Sequence, residues 1–185
     1  MMRLMIAVVG FLLAAPAVRA TVLVPAEFRE IVSGSQIIVY GRVAEVHAEW
    51  SDDRRRIDTV VTLEAATYLK GGPGEVVTFR VPGGQIGRYK NVMVGAPEFQ
   101  TGEEAVLFLK AQGPSVAHVF GLSQGVFRIR MNERTGARLV VPPVLMGTGD
   151  AAERVIRGAA GRTPLPLEAF AATVRTAMVQ ARGTR

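Results

Sequence analysis

The sequence predicts a mainly β domain: a small β-barrel with a short N-terminal helix before it and an amphipathic helix after it. Residues 57–70, IDTVVTLEAATYLK, alternate with a period of two and are rich in β-branched side chains, as in a long strand. Turns rich in glycine and proline, at residues 71–74 and 82–84, separate this segment from further alternating segments. Residues 163–182 instead carry apolar side chains at three- and four-residue steps, the spacing of an amphipathic helix.

Composition places the chain among globular proteins with a substantial hydrophobic core. The 185 residues fit one domain, and 49% of them are hydrophobic. The chain has no cysteine, which excludes disulfides, thiolate metal sites and cysteine nucleophiles. Its 22 basic and 16 acidic residues give a net charge of +6, which indicates solubility rather than nucleic-acid binding.

The first 20 residues have the pattern of a secretory signal peptide. Arg3 provides the positive start, residues 4–15 form an apolar run, and Val18-Arg19-Ala20 supplies small residues at the positions that a signal peptidase reads. We expect cleavage after Ala20, with Ala17 as a second register, and a periplasmic or extracellular mature protein without a membrane span. An uncleaved anchor is the alternative, but the run is shorter than the about 20 residues of a spanning helix.

The mature chain is predicted to begin with a short helix and to continue with strands. Pro25 suits the first turn of a helix over residues 25–33, and Gly34 suits its end. Residues 36–47 alternate as a strand, in which Gly41 predicts a bulge or a sharp bend. Further strands are predicted at residues 57–70, 75–81, 105–109, 116–122, 126–131 and 137–141.

Two of the later segments depart from simple alternation. Residues 105–109, AVLFL, are apolar at every position, so this strand should lie at the centre of the sheet with both faces buried. Residues 85–100 lack periodicity apart from a short apolar piece, Val92-Met93-Val94, and are predicted to be an irregular excursion. Such excursions are either binding loops or poorly ordered hairpins.

The predicted barrel domain covers residues 21–143, and a Gly- and Ala-rich linker at residues 144–162 leads to a C-terminal helix at residues 163–185. Thr163 is the expected N-cap, and Pro164 is the expected first helical residue. The apolar face of this helix is modest and is formed by Leu167, Phe170, Val174 and Met178. We therefore predict that the helix packs back on the barrel; a helix that binds a partner or a membrane surface is the alternative.

Several segments resemble an uncharacterised family of secreted bacterial proteins. In chain order they are GRV at residues 41–43, LKG at 69–71, PGG at 82–84, GAPEFQTGEEAVLFL at 95–109 and GLSQGVF at 121–127. The order of segments over residues 28–130 is also similar to netrin-like domains, including the N-terminal domains of tissue inhibitors of metalloproteases. This resemblance implies a five-stranded OB-type barrel with flanking helices. Those inhibitors reach the protease zinc with an N-terminal cysteine; because this chain has no cysteine, no inhibitory residue is carried over.

The sequence lacks recognisable catalytic and metal-binding motifs. It has no HExxH, GxSxG or phosphate-binding loop, and its two histidines, His47 and His118, have no nearby Asp or Ser in a recognisable frame. We therefore predict no catalytic residue, no metal and no cofactor. Glu103 and Glu104 are adjacent, so on a strand they should point to opposite faces. The alternative is a hydrolase with an unfamiliar site, built on Glu103, Glu104, Arg88 and His118.

The function that the sequence favours is that of an exported, soluble, non-enzymatic binding module. Its partner should be another exported protein, such as a secreted protease, by analogy of fold. The alternative ligand is an oligonucleotide or a saccharide on an OB-type face, although an aromatic content of 6% argues against nucleic acid. Gln124 is predicted either to face a cleft or, more simply, to hydrogen-bond a bulged backbone. The candidate binding residues are Trp50, Arg54, Arg55, Arg88, Tyr89 and Gln124.

Overall fold

The computed structural model describes residues 25–111, 116–143 and 163–183. Within these ranges the chain is mainly β, with a closed five-stranded β-barrel, a short helix near the N-terminus and a helix near the C-terminus, which confirms the predicted fold class. The leader predicted at residues 1–20, its cleavage at Ala17 or Ala20, and the linker predicted at residues 144–162 lie outside the described residues.

Helix α1 spans Phe28–Gly34 and helix α2 spans Leu167–Arg182. The barrel strands are β1 Ile37–Trp50, β2 Ile57–Lys70, β3 Val76–Pro82, β6 Glu104–Lys110 and β7 Ala117–Val119. Between β3 and β6 the chain forms a small hairpin of β4 Gly84–Ile86 and β5 Tyr89–Asn91. After a 3-10 turn at Leu122–Gly125, the main sheet is extended by β8 Val126–Met131, β9 Arg138–Val141 and β10 Leu165–Pro166.

The barrel closes because β1 pairs with a neighbour on each of its edges. It is antiparallel to β2 along its length, and residues 37–42 are also antiparallel to β6. Strand β2 is antiparallel to β3, β3 is parallel to β7, and β7 is antiparallel to β6, which completes the ring. Closure satisfies the backbone groups that an open edge would leave unpaired.

Strand β6 is buried on both faces, in agreement with its uniformly apolar sequence. Ala105, Leu107 and Leu109 pack inside the barrel. Val106 and Phe108 belong to a second core outside the barrel wall. None of these five residues has exposed surface. The strand therefore contributes to both cores at once.

The second core is a cluster of phenylalanine rings between the barrel wall and the two helices. Phe28 of α1 lies edge to face with Phe108, Phe127 and Phe170, at centroid distances of 5.7 to 6.0 Å. Phe170 of α2 lies 5.0 Å from Phe127. Aromatic rings favour such tilted and edge-to-face contacts. Both helices are thus held on the same outer face of the barrel.

Bulges in the β1–β2 pair bend both strands around the barrel. The register shifts between Ile38 and Val39, between Tyr40 and Gly41, and between Val43 and Glu45. Side chains of a strand alternate between the inner and the outer face of the barrel. An extra residue in a strand therefore moves each side chain after it to the opposite face. Val46 therefore packs with the barrel interior, although simple alternation places it on the same face as Ile38, which lies in the outer core.

Gly41 lets β2 approach β1 more closely than a side chain would allow. The register does shift beside Gly41, as predicted, but the extra residue is Ala66 on β2. A Cβ atom on Gly41 would lie 2.2 Å from the carbonyl oxygen of Glu64 and 3.0 Å from the side chain of Leu63. The next residue but one, Val43, is 1% exposed and packs in the barrel core. The GRV segment therefore has a structural role in bending and packing β1.

The LKG segment joins the end of β2 to the end of α1. The ammonium group of Lys70 donates hydrogen bonds to the carbonyl oxygens of Val32 and Ser33, at 3.0 and 3.3 Å. These carbonyls belong to the last turn of α1, where a cation is favoured. Gly71 has φ +75°, and a Cβ there would lie 2.8 Å from the carbonyl oxygen of Gln36. The segment therefore fixes α1 against the barrel.

The C-terminal helix begins later than the sequence predicts. The sequence predicts a start at Thr163 with Pro164 in the first turn, but α2 begins at Leu167, after Pro166. A residue that precedes proline favours the extended conformation, and residues 163–166 contain two such steps. Leu165 and Pro166 accordingly pair with β9 as strand β10.

Replacement of Gly41 by alanine should destabilise the fold. The added Cβ overlaps the Glu64 carbonyl oxygen, so β1 and β2 must move apart, and overpacking of this kind costs about 1–3 kcal/mol. Urea denaturation followed by circular dichroism measures this loss in the free energy of unfolding. Gly183→Ala is the matched control, because its Cβ would meet its nearest neighbour at 3.9 Å. Equal stability of the two variants would contradict the close approach at Gly41.

Replacement of Phe170 by alanine should loosen α2 from the barrel. Phe170 is 2% exposed and contacts three other rings, and truncation of such a side chain costs about 3–5 kcal/mol. Val179→Ala on the same helix should change the free energy of unfolding by less than about 0.5 kcal/mol, because Val179 is 70% exposed. Urea denaturation compares the two variants, and a similarly small effect of both would show that the ring cluster contributes little.

Candidate functional site

The PGG segment holds the β4–β5 hairpin against one end of the barrel. Gly83 donates its backbone N–H to the carbonyl oxygen of Ile57 at 3.1 Å, and its own carbonyl oxygen accepts a hydrogen bond from the Thr59 hydroxyl at 2.7 Å. Gly84, with φ +152°, lies so close to β2 that a Cβ would be 3.0 Å from the side chains of Ile57 and Thr59. The hairpin forms the first part of the segment that the sequence predicts to be irregular, residues 85–100.

Three of the predicted binding residues meet at this end of the barrel: Trp50, Arg88 and Tyr89. Trp50 is the last residue of β1, which extends beyond the predicted strand end at His47. Its ring lies edge to face with the Tyr89 ring, at a centroid distance of 5.6 Å. The Arg88 guanidinium lies 5.1 Å from the centroid of the tyrosine ring and donates to its hydroxyl oxygen at 3.0 Å. The end of β1 and the hairpin therefore form one aromatic and basic cluster.

Exposed apolar side chains continue from this cluster into the loop after β5. We use the term hairpin surface for Trp50, Tyr89, Val92, Met93 and Val94, which are 37%, 51%, 70%, 50% and 90% exposed, respectively. Aromatic residues and methionine are enriched in protein–protein interfaces, and contiguous exposed apolar groups mark interaction sites. The hairpin surface is therefore the candidate binding site.

The β1–β2 loop follows Trp50 and carries the predicted binding residues Arg54 and Arg55. The Ser51 hydroxyl donates to the Asp53 carboxylate at 2.7 Å, and this carboxylate also accepts a hydrogen bond from the backbone N–H of Arg55 at 3.1 Å. The bond from Ser51 is the main reason that the pKa of Asp53 lies below its usual value. Asp53 therefore holds the turn in its ionised form, while the Arg54 and Arg55 side chains remain exposed.

A hollow of about 370 Å³ lies between the hairpin and the barrel wall. Its volume falls within the range of about 300–1,000 Å³ that is typical of ligand pockets. Lys90 and Glu98 supply charged groups to its lining. Its apolar lining includes Val46, Val81, Met93, Ala96, Pro97 and Phe99. The hollow can thus receive an apolar side chain of a partner next to the hairpin surface.

Gln124, the sixth predicted binding residue, lies in the interior and contacts backbone. It is 3% exposed, and its side-chain oxygen accepts a hydrogen bond from the backbone N–H of Ala26 at 2.6 Å. In the same turn, the backbone N–H of Ser123 donates to the carbonyl oxygen of Gly95 at 3.2 Å. The GLSQG segment therefore supports both the entry to α1 and the loop that carries Val94.

A second, charged groove of about 690 Å³ lies beside the start of β6. Glu104 accepts hydrogen bonds from the Tyr40 hydroxyl at 2.8 Å and from Arg42 at 2.7 Å, and it lies 3.6 Å from Arg138. The hydrogen bond from Tyr40, followed by the charges of Arg138 and Arg42, holds the pKa of Glu104 below its usual value, although partial burial opposes this effect. Glu104 is therefore an ionised structural partner of side chains from two other strands, β1 and β9.

Glu103 lines the same groove as Glu104, although adjacent residues of a strand face opposite sides. Alternation does not apply, because Glu103 lies in the turn before β6. Glu103 forms an ion pair with Arg128, whose guanidinium also donates to the backbone oxygen of Glu98 at 2.7 Å. Burial is the main reason that the pKa of Arg128 lies below its usual value. Both carboxylates are thus already paired with arginines of the chain.

The four residues of the alternative hydrolase site do not come together. Glu103 and Glu104 line the charged groove, whereas Arg88 contacts Tyr89 and His118 is exposed on β7. Among the described residues, no group of three or more His, Asp or Glu side chains is arranged to hold a metal ion. Within residues 25–111, 116–143 and 163–183, no helix combines the length and apolar character that crossing a membrane requires.

Sequence reasoning missed the exposure of residues 92–94 and the arginines of the charged groove. A signal for residues 92–94 exists: an apolar triplet, too short for a strand, stands before the break at residues 95–97. No local pattern connects Arg42, Arg128 and Arg138, because they come from three different strands.

Comparison with protein-family models, with curated proteins and with solved structures finds no match to this chain.

Glu104→Gln should reduce the amount by which the free energy of unfolding falls as the pH is lowered. The folded state stabilises the Glu104 carboxylate as an anion, so its pKa is lower when folded than when unfolded. The resulting stability is present above about pH 4.3, the usual pKa of glutamate, and is lost as the pH falls through the folded value. Urea denaturation over this pH range measures the effect, with Glu133→Gln in the exposed β8–β9 turn as control. If the free energy of unfolding of Glu104→Gln fell with decreasing pH as steeply as that of the wild type, the role of Glu104 would be contradicted.

Proposed function

We propose that this protein is an exported, non-enzymatic binding module that docks on another exported protein through the hairpin surface. The observation that carries the proposal is the exposure of five apolar and aromatic side chains at the end of β1, in the β4–β5 hairpin and in the loop that follows it, up to 90% at Val94. Apolar surface that remains in contact with water does not stabilise a folded domain, whereas its burial by a partner is favourable. Trp, Tyr and Arg, which meet at Trp50, Tyr89 and Arg88, are the residue types most often found in binding hot spots.

The support beneath the surface favours binding. The hairpin is hydrogen-bonded to β2 through Gly83, and the following loop is hydrogen-bonded to the GLSQG turn through Gly95. Further along this loop, Phe99 is 7% exposed and lies 5.3 Å from Phe79 in the barrel core. A preformed surface loses little conformational freedom when a partner binds. The charged groove supports catalysis less well, because its carboxylates are paired with arginines.

Export and family relationship belong to the same proposal. The leader-like pattern of residues 1–20 supports removal of a signal peptide and a periplasmic or extracellular location. The strand order β1-β2-β3-β7-β6 of the ring, with two helices on one outer face, supports an OB-like and netrin-like barrel. The GRV, LKG, PGG and GLSQG segments support membership of the secreted bacterial family that they resemble.

Val94→Asp should abolish capture of the partner. Immobilised wild-type protein, Val94→Asp and Val179→Asp are each exposed to the exported proteins of a bacterial source, and retained proteins are quantified by mass spectrometry. Val179 is 70% exposed on α2, so Val179→Asp adds the same charge outside the hairpin surface and should retain the partner. The proposal predicts a protein that is retained by the wild type and by Val179→Asp but lost with Val94→Asp. Identical retention by all three proteins would refute it.

A saccharide or an oligonucleotide is the second candidate ligand, because Trp50 and Tyr89 lie beside Arg88. Trp50 is the only tryptophan of the chain, so its fluorescence reports directly on this surface. Titration with oligothymidylate and with soluble oligosaccharides should leave the emission unchanged if the ligand is a protein. A saturable shift in emission that disappears in Arg88→Ala would favour this second candidate over the first.

A further inference from the structure

We infer that the partner presents an acidic contact surface with an apolar side chain at its centre; this inference rests on the proposed function. The first observation is the charge beside the hairpin surface. Arg54 and Arg55 in the β1–β2 loop, and Arg88 and Lys90 in the hairpin, have no carboxylate within ion-pair distance among the described residues. Arg88 instead contacts the tyrosine beside it, through its ring and hydroxyl.

Four arginines elsewhere on the barrel are paired with glutamates. Arg42 and Arg138 lie beside Glu104, and Arg128 lies beside Glu103. Arg80 lies 3.3 Å from Glu49. Arg54, Arg55, Arg88 and Lys90 therefore place four cations without an ion-pair partner among the described residues beside the exposed apolar groups. Charges of one sign around an apolar patch select a partner of opposite sign and accelerate its association.

The acidic residues near the hairpin surface do not cancel this charge. Asp53 is held by the Ser51 hydroxyl and by the backbone of Arg55, so it is engaged within its own loop. Asp52 stands beside it in the same loop, and Glu98 lies on the lining of the hollow. Arg56 adds a further cation to the loop. The balance over the loop and the hairpin therefore remains positive.

The hollow beside the hairpin supplies the place for an apolar anchor. Its lining combines Met93 of the hairpin surface with Phe99 and Val81. Lys90, which directly follows Tyr89 in the chain, adds a positive charge to this lining. Interfaces obtain most of their affinity from a few side chains inserted into such pockets, surrounded by polar contacts. A partner residue that is apolar and is flanked by aspartate or glutamate would fill the hollow and pair with the cations beside it. A recessed site of this kind favours a protein partner over a lipid bilayer, which has no side chain to insert.

A random dodecapeptide library displayed on phage tests the inference directly, because it samples acidic and apolar sequences alike. The library is selected on wild-type protein after depletion on Val94→Asp, so that only peptides that need the hairpin surface remain. We expect the remaining peptides to be enriched in Asp and Glu around a Leu, Phe or Trp. Binding of the best peptide that lacks tryptophan is then measured through the emission of Trp50.

Charge reversal separates this inference from the proposed function. Arg54→Glu combined with Arg55→Glu should weaken peptide binding by about tenfold or more, and raising the salt concentration to about 0.5 M should weaken binding to the wild type. Arg134→Glu combined with Arg175→Glu changes the net charge equally at exposed positions outside the site and should have little effect.

Each outcome is decisive. Selected peptides without an acidic excess, whose binding ignores salt and charge reversal, would overturn the acidic partner and leave the proposed binding function standing. Failure to select any peptide that distinguishes the wild type from Val94→Asp would count against both. Sedimentation with phosphatidylglycerol vesicles, lost in Val94→Asp and absent with phosphatidylcholine vesicles, would replace the protein partner by an anionic membrane surface.

Discussion

Burial of both faces of β6 is the constraint on which the rest of the structure depends. The strand supplies side chains to the barrel interior and to the phenylalanine cluster, so neither core can form without it. One of its edges pairs with β1 and closes the barrel, while the other pairs with β7 and β8. Helices α1 and α2 pack on Val106 and Phe108, the side chains that β6 directs outside the barrel. Even the charged groove begins on this strand, at Glu104.

The recognisable segments of the sequence mainly serve this architecture. Gly41 permits a close strand approach, Lys70 holds the end of α1, and Gln124 holds the chain that enters α1. The hairpin surface draws on other residues, namely Trp50, Tyr89 and residues 92–94. The scaffold and the proposed contact surface are therefore separate in the sequence, although PGG and GLSQG connect them by supporting the hairpin and its following loop. This separation is what we expect of a module whose loops bind while its barrel provides rigidity.

Strands are predictable from the sequence wherever a period of two is uninterrupted. Strand β2 and strand β8 have the predicted bounds, and the two-sided burial of residues 105–109 follows from their uniform apolar character. The faces of the strands are less predictable, because bulges in β1 and β2 exchange them and a bulge leaves no clear mark other than Gly41.

The candidate site is only partly predictable for a different reason. Trp50, Arg88 and Tyr89 stand out in the sequence as loop residues, but their contact joins the end of β1 to a hairpin after β3, and only the fold brings these segments together. Gln124 stands out as a polar residue between Ser123 and Gly125, and its amide is committed to Ala26. Local sequence thus identifies unusual residues, whereas tertiary structure decides which of them face solvent.

The pairing of β1 with β6, which closes the barrel, has a consequence for biosynthesis. It joins residues 37–42 to β6, and the outer cluster is incomplete until Phe170 is present. A nascent chain therefore leaves one edge of β1 unpaired until β6 has been synthesised, and domains that need such distant pairings fold in about milliseconds to seconds. This delay gives holding chaperones time to bind the newly made polypeptide.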